Sequence, residues 1–169
     1  MRDFLQQIRC ALKANLYYLS LFAALAIPDI CGAMGSKGGT ATGAKYKEWF
    51  DRYVGPKYSG TEHQWLSGAD CYFFRCSLLH QGSSQHPESR YSRFIFVEPS
   101  ATAHTLHCNV IQDALNIDVG IFCEDIIAGA LCWLSEVEGS KRFERNYNRV
   151  MRRYPDGLAP FIRGVPVIS

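Results

Sequence analysis

Apolar positions recur at helical spacing over most of this chain, and glycines, prolines and polar runs cut the pattern into segments. Residues 3–13 and 14–34 read as helical, either as one helix bent near Pro28 or with Pro28 opening a second helix at its first position. Within them, 16–27 (LYYLSLFAALAI) is almost wholly apolar. Twelve residues make about 18 Å of helix, short of the roughly 30 Å of bilayer hydrocarbon. The preceding residues hold Asp3, two Gln, Arg9 and Lys13, unlike the short basic leader of a signal peptide. A buried core helix is the expectation. Residues 35–43 (GSKGGTATG) read as a loop. Tyr46, Trp49, Phe50, Tyr53 and Val54 then fall at i, i+3, i+4, i+7 and i+8, a helix with one apolar stripe, stopped by Gly55-Pro56.

The next segment carries its own punctuation. Ser67 with Asp70 resembles a capping box in which Asp replaces Glu, and Gly82 is a helix terminator. Between them Cys71, Phe74 and Leu78 line one side. Residues 83–92 are a polar loop, and 93–98 (RFIFVE) read as a strand. Residues 105–111 are expected to pair with that strand across 99–104 as a small hairpin, although 109–116 also suit an early helical turn. The clearest helix covers 117–138, with Val119, Phe122, Ile126, Ile127, Ala130, Trp133, Leu134 and Val137 in period and Gly139 ending it. A last helix is expected over 140–153 with Ser140 as cap, followed by a proline-bearing extended strap over 155–169. The expectation is therefore one domain over 1–169 of mainly all-α class. It is a bundle of four to five helices with a hairpin insertion near 92–111.

Composition narrows the function classes. The 169 residues are 47% hydrophobic and 20% charged, which excludes disorder as the main state. A net charge of +2 does not announce nucleic-acid binding, so any basic surface must be local. Such a run lies at 141–153, where six Lys/Arg against one Glu give +5. Arg142, Arg145, Arg149 and Arg152 or Arg153 fall near one helical face, Lys141 opens the run, and Tyr147 and Tyr154 interleave aromatics. These cations suit an RNA phosphate backbone, an acidic partner protein, or plain solvation. The seven cysteines include no C-x-x-C pair and sit mostly in apolar stretches, which points to a reducing cytoplasm. His104, His107, Cys108 and Asp113 cluster in sequence, but alternating faces of a strand would not bring them together, so no metal or cofactor is expected.

The informative stretch is 73–82, FFRCSLLHQG. Arg75 and His80 stand five positions apart near a helix end, about 140° apart around an ideal helix, and are expected to flank a shared groove rather than touch. Tyr72 and Cys76 share the face of Arg75. Arginine keeps its charge and can hold two phosphate oxygens, while an unperturbed imidazole titrates near pH 6.5 and can take and return a proton. An R-x4-H motif closing an amphipathic helix in a small helical domain resembles the HEPN superfamily. The resemblance carries over Arg75 and His80, with Cys76 where Asn usually follows the arginine. It implies a metal-independent endoribonuclease that leaves a 2′,3′-cyclic phosphate and acts as a homodimer with paired motifs. It also implies a defence or toxin–antitoxin setting, with an antitoxin or regulatory protein as partner. The alternative is a non-catalytic HEPN-like module that binds RNA, nucleotide or a partner protein. Other readings stand beside these: Arg75 pairing with Asp70, Glu124 or Asp125, His80 capping the last carbonyls, and a thiolate–imidazolium pair between Cys76 and His80. No membrane partner is expected.

Overall fold

The computed structural model describes residues 1–99 and 104–169. Six α-helices dominate the described residues: α1 (Arg2–Lys13), α2 (Tyr17–Gly35), α3 (Gly43–Tyr53), α4 (Gly68–Gln81), α5 (Val119–Val137) and α6 (Lys141–Tyr147). The architecture is mainly helical. The first two helices do not merge at Pro28. The chain breaks at Asn15, whose φ of 56° is a left-handed conformation that Asn tolerates, and Pro28 lies buried inside α2 without ending it.

The core forms where α2 packs against α5, α3 and α1. Ala24, Leu25, Ile27 and Cys31 of α2 are fully buried against Phe50, Phe122, Ile126 and Leu134. Among the described residues, α2 is the one helix long and apolar enough to cross a membrane, yet 44% of its apolar window is buried inside the fold. Its first turn is different: Tyr18 is 80% and Leu19 62% exposed.

Three strands, β1 (Arg93–Val97), β2 (Asn109–Ile111) and β3 (Ala114–Asp118), form a small sheet in the order β1-β3-β2. This corrects the expected hairpin between 93–98 and 105–111. The strand at 93–97 pairs instead with β3, in parallel, and β2 pairs with β3 antiparallel. The tight connection is Gln112-Asp113, with φ of 50° and 61°, the backbone signature of a two-residue primed turn. Every residue of β3 is buried, so Ile117 and Asp118 belong to this strand rather than to the helix expected from 117, and 109–116 form strands and a turn rather than an early helical turn. Residues 100–103 of the expected turn lie outside the described residues.

The last helix is also shorter than expected. α6 ends at Tyr147, and the chain turns through Asn148 to Val150 on hydrogen bonds from Arg149 and Val150 to the carbonyls of Asn146 and Tyr147. Asn146 explains where α6 sits. Its buried amide donates to the Met34 and Ser36 carbonyls at 2.8 and 2.7 Å, satisfying groups at the end of α2. Beyond it the strap folds on itself as two minimal ribbons, β4 (Arg153–Tyr154) with β7 (Val167–Ile168) and β5 (Gly157–Leu158) with β6 (Ile162–Arg163).

Candidate active site on the fourth helix

α4 is fixed at both ends by its own sequence. Ser67 Oγ accepts from the Asp70 amide at 3.2 Å and Asp70 Oδ2 accepts from the Ser67 amide at 2.9 Å, a complete capping box. Gly82, at φ 66°, ends the helix in the left-handed conformation. Gly68 lets α4 approach α3 closely, because a Cβ there would stand 2.8 Å from the Lys47 Cα. Arg90 crosses from the polar loop to Asp70, donating from Nε at 3.1 and 3.0 Å, so Asp70 is occupied at the start of the helix.

Near the other end, the Arg75 guanidinium stands between two partners. Its Nη1 lies 3.2 Å from His80 Nε2, and its Nη2 lies 2.5 Å from Asp29 Oδ2 of α2. The direct contact with His80 departs from the flanking arrangement expected from the five-residue spacing. Arginine has enough rotatable bonds to reach along the helix surface and cross the 140° between the two Cβ directions. An arginine N–H can only donate, so a hydrogen bond in this geometry requires His80 Nε2 to accept with its lone pair. His80 is exposed and Arg75 only partly so, leaving the imidazole open to solvent and the cation mostly covered.

Asp29 is the residue of this candidate site that sequence reasoning missed. The signal was present: a single carboxylate inside the apolar 19-residue α2. Burial pushes its pKa above the ordinary 3.8, and Arg75 pulls it back only in part. On Arg75 burial pulls down most strongly, but Asp29 together with Cys76 and Tyr46 reverses this, so the guanidinium stays charged. Asp70, Glu124 and Asp125, the carboxylates weighed for Arg75, pair with Arg90, Arg9 and Lys57 instead.

Tyr72 and Cys76 complete the face. The Cys76 thiol, then burial, pushes the Tyr72 phenol above its ordinary value, and the same thiol adjoins Arg75. Beneath them Tyr46 is fully buried, 3.3 Å from Cys71 Sγ through its hydroxyl and 5.4 Å from the Tyr72 ring. Lys47 holds its ammonium over the Tyr72 and Phe73 rings at 5.2 and 4.7 Å. His80 faces Arg75, so the thiolate–imidazolium pair has no support in the contacts of its Nε2.

The basic run does not form one helical face, because α6 stops after seven residues. Arg145 donates to the Lys37 carbonyl at 2.8 Å. Arg152 stacks near Tyr147 and Tyr154 at 5.4 and 5.2 Å. Lys141, Arg142, Arg149 and Arg153 are exposed. His107 packs against the Tyr58 ring at 5.4 Å, and among the described residues no group of three or more His, Cys, Asp or Glu is placed to hold a metal ion.

What this arrangement offers chemically is a solvent-facing imidazole next to an anchored cation, the pair needed to move a proton and stabilise a developing anion. Comparison with protein-family models, curated proteins and solved structures finds no match to this chain, so the functional reading rests on that geometry.

Proposed function

We propose that this chain is a HEPN-like, metal-independent endoribonuclease. The observation that supports this reading is the contact between Arg75 and His80 at the solvent-facing end of α4, with Arg75 steadied by Asp29. When RNA binds, Arg75 turns from His80 onto the phosphate, and the His80 Nε2 lone pair so freed takes the proton from a ribose 2′-OH as that oxygen attacks the adjacent phosphorus. The resulting imidazolium returns a proton to the departing 5′ oxygen. Arg75 holds the non-bridging oxygens as their charge builds. The P–O5′ bond breaks as the P–O2′ bond forms, leaving a 2′,3′-cyclic phosphate and a 5′-hydroxyl. DNA, lacking the 2′-OH, is spared.

In this reading the protein is cytoplasmic and homodimeric, and works in a defence or toxin–antitoxin setting under an antitoxin or regulatory protein. Exposed Lys141, Arg142, Arg149 and Arg153 contribute phosphate contacts. The second reading is a non-catalytic HEPN-like module that binds RNA, nucleotide or a partner protein. It is favoured by Cys76 after the arginine and by the Asp29 carboxylate already occupying Arg75.

The test is wild type against His80→Ala on single-stranded and structured RNA in EDTA, with end-group analysis. The nuclease reading expects cleavage by wild type alone, with cyclic phosphate ends, and a loss of at least about 10²-fold in the variant. Equal cleavage by both proteins refutes it. No cleavage by folded wild type, with RNA retained in a binding assay, transfers the case to the binding module.

A further inference from the structure

Among the described residues, two apolar features open to solvent sit at opposite ends of α2. At its start, Tyr17, Tyr18 and Leu21 join Phe74 and Leu78 of α4 and Phe96 of β1 around a groove of about 250 Å³ with Glu98 on its edge. Leu16 and Leu19, 49% and 62% exposed, continue the apolar surface at the same end. The other feature is the C-terminal arm of paired ribbons. Phe161 is 83% exposed, Met151 72% and Ile168 69%, and Arg163 follows two residues after Phe161. The arm is rooted at the far end of α2, where Asn146 binds the Met34 and Ser36 carbonyls. A helix of 19 residues separates arm root from groove by roughly 28 Å, and Phe161 does not line the groove of its own chain.

We infer that the arm of one protomer docks in the groove of a second copy, reciprocally, to form a two-fold dimer. Arm and groove lie at opposite ends of one helix, so antiparallel alignment of two α2 helices presents each arm to the other chain's groove. Both junctions then close on one another and leave no end for further growth. The groove volume suits the occupant: a cavity of about 150 Å³ accepts benzene, and 250 Å³ accepts a phenylalanine ring with an adjacent side chain. The charges match, because Arg163 follows Phe161-Ile162 on the arm and Glu98 edges the groove. A buried aromatic side chain covers about 150–250 Å², so two junctions plus Leu16 and Leu19 approach the roughly 800 Å² per partner of a stable interface. This assembly holds whether or not Arg75 and His80 cleave RNA.

Phe161→Asp and Tyr18→Arg test it, since both side chains are exposed and neither change disturbs the core. Sedimentation of the purified full chain over a range of concentrations should show a wild-type dimer and, for each variant, a dissociation constant raised at least about tenfold. Far-UV circular dichroism and melting at high dilution check that each variant is folded. Mixing the two variants should restore a dimer. The mixed pair keeps one intact junction, and in the other the carboxylate introduced on the arm meets the guanidinium introduced at the groove. A wild type that stays monomeric, or variants that dimerise as tightly as wild type, overturns the proposal. Because the readout is mass, a failed cleavage assay leaves this result standing, and a failed dimer leaves the cleavage assay standing.

Discussion

Asp29→Asn and Arg75→Ala cut the same ion pair from its two sides, and the structure predicts unequal costs. The side chains are 17% and 21% exposed, so the Asp29 carboxylate has lost most of its water. Burial raises its pKa above 3.8 despite the Arg75 contact, meaning that desolvation outweighs the attraction. A carboxyl raised in this way binds its proton in the fold before it does in the unfolded chain. Its ionisation therefore lowers stability as pH climbs through the window above 3.8, and the penalty is relieved as pH falls back through it. Asparagine keeps the shape and removes the carboxylate's desolvation cost; it leaves Arg75 without its counter-charge, but the long side chain already reaches exposed His80 and can turn toward water, so at pH 7.5 Asp29→Asn is expected to cost no more than about 1–2 kcal/mol. Arg75→Ala instead strands the carboxylate. Losing one partner of a fully buried pair costs about 3–5 kcal/mol, and the remaining exposure reduces this to roughly 1–3 kcal/mol. At about 2–4 °C per kcal/mol, Arg75→Ala should melt roughly 2–12 °C below wild type at pH 7.5, and the deficit should shrink toward pH 5. Cleavage should part company with stability in Asp29→Asn, because an unanchored guanidinium misplaced by about 1 Å costs up to roughly 10²-fold. Thermal unfolding at both pH values and RNA cleavage at pH 7.5 measure all three effects. A loss of more than about 2 kcal/mol in Asp29→Asn, or an Arg75→Ala deficit that does not change with pH, refutes the reasoning.

Three further outcomes follow from the packing. Gly68→Ala pushes a methyl group against Lys47 backbone that cannot rotate away, so it should cost about 1–3 kcal/mol, and an unchanged Tm would show that the α3–α4 crossing yields freely. Burial holds the His107 imidazole below its ordinary 6.5, with Asp125 and Asp118 pulling the other way, so the unfolded chain takes up this proton first. Stability from this group is full above pH 6.5 and lost as pH falls below it. His107→Leu should therefore flatten the melting temperature between pH 7.5 and 5, and parallel profiles would count against the assignment. Thiol labelling of the native protein should be fast at exposed Cys10 and Cys132 and absent at Cys31, Cys71 and Cys123 until the chain unfolds. Burial pushes Cys71 and Cys123 up to about 12 and Cys31 well above its ordinary value, so labelling of these three in the native state would contradict the core.

Local chemistry decided much of what the sequence showed unaided. The Ser67–Asp70 box, the Gly82 stop, the Ser140 cap and the apolar stripes of α3 and α5 depend on residues within a turn or two of each other, so their logic is readable in one dimension. Arg75 and His80 were legible as a pair for the same reason. Their contact was not, because Cβ directions on an ideal helix do not say where a long side chain ends. Long-range pairing decided the rest. Ala114 to Asp118 became a strand because β1 and β2 close on either side of it, and the turn between β2 and β3 carries Gln112-Asp113 without a glycine to mark it. α6 stopped at Tyr147, and its Asn146 serves the end of a helix more than a hundred residues earlier. Asp29 drew its importance from α4, which faces it only after the chain has folded through α3. A carboxylate in an apolar helix is visible in the sequence as an anomaly; the arginine that answers it is visible only where two helices meet.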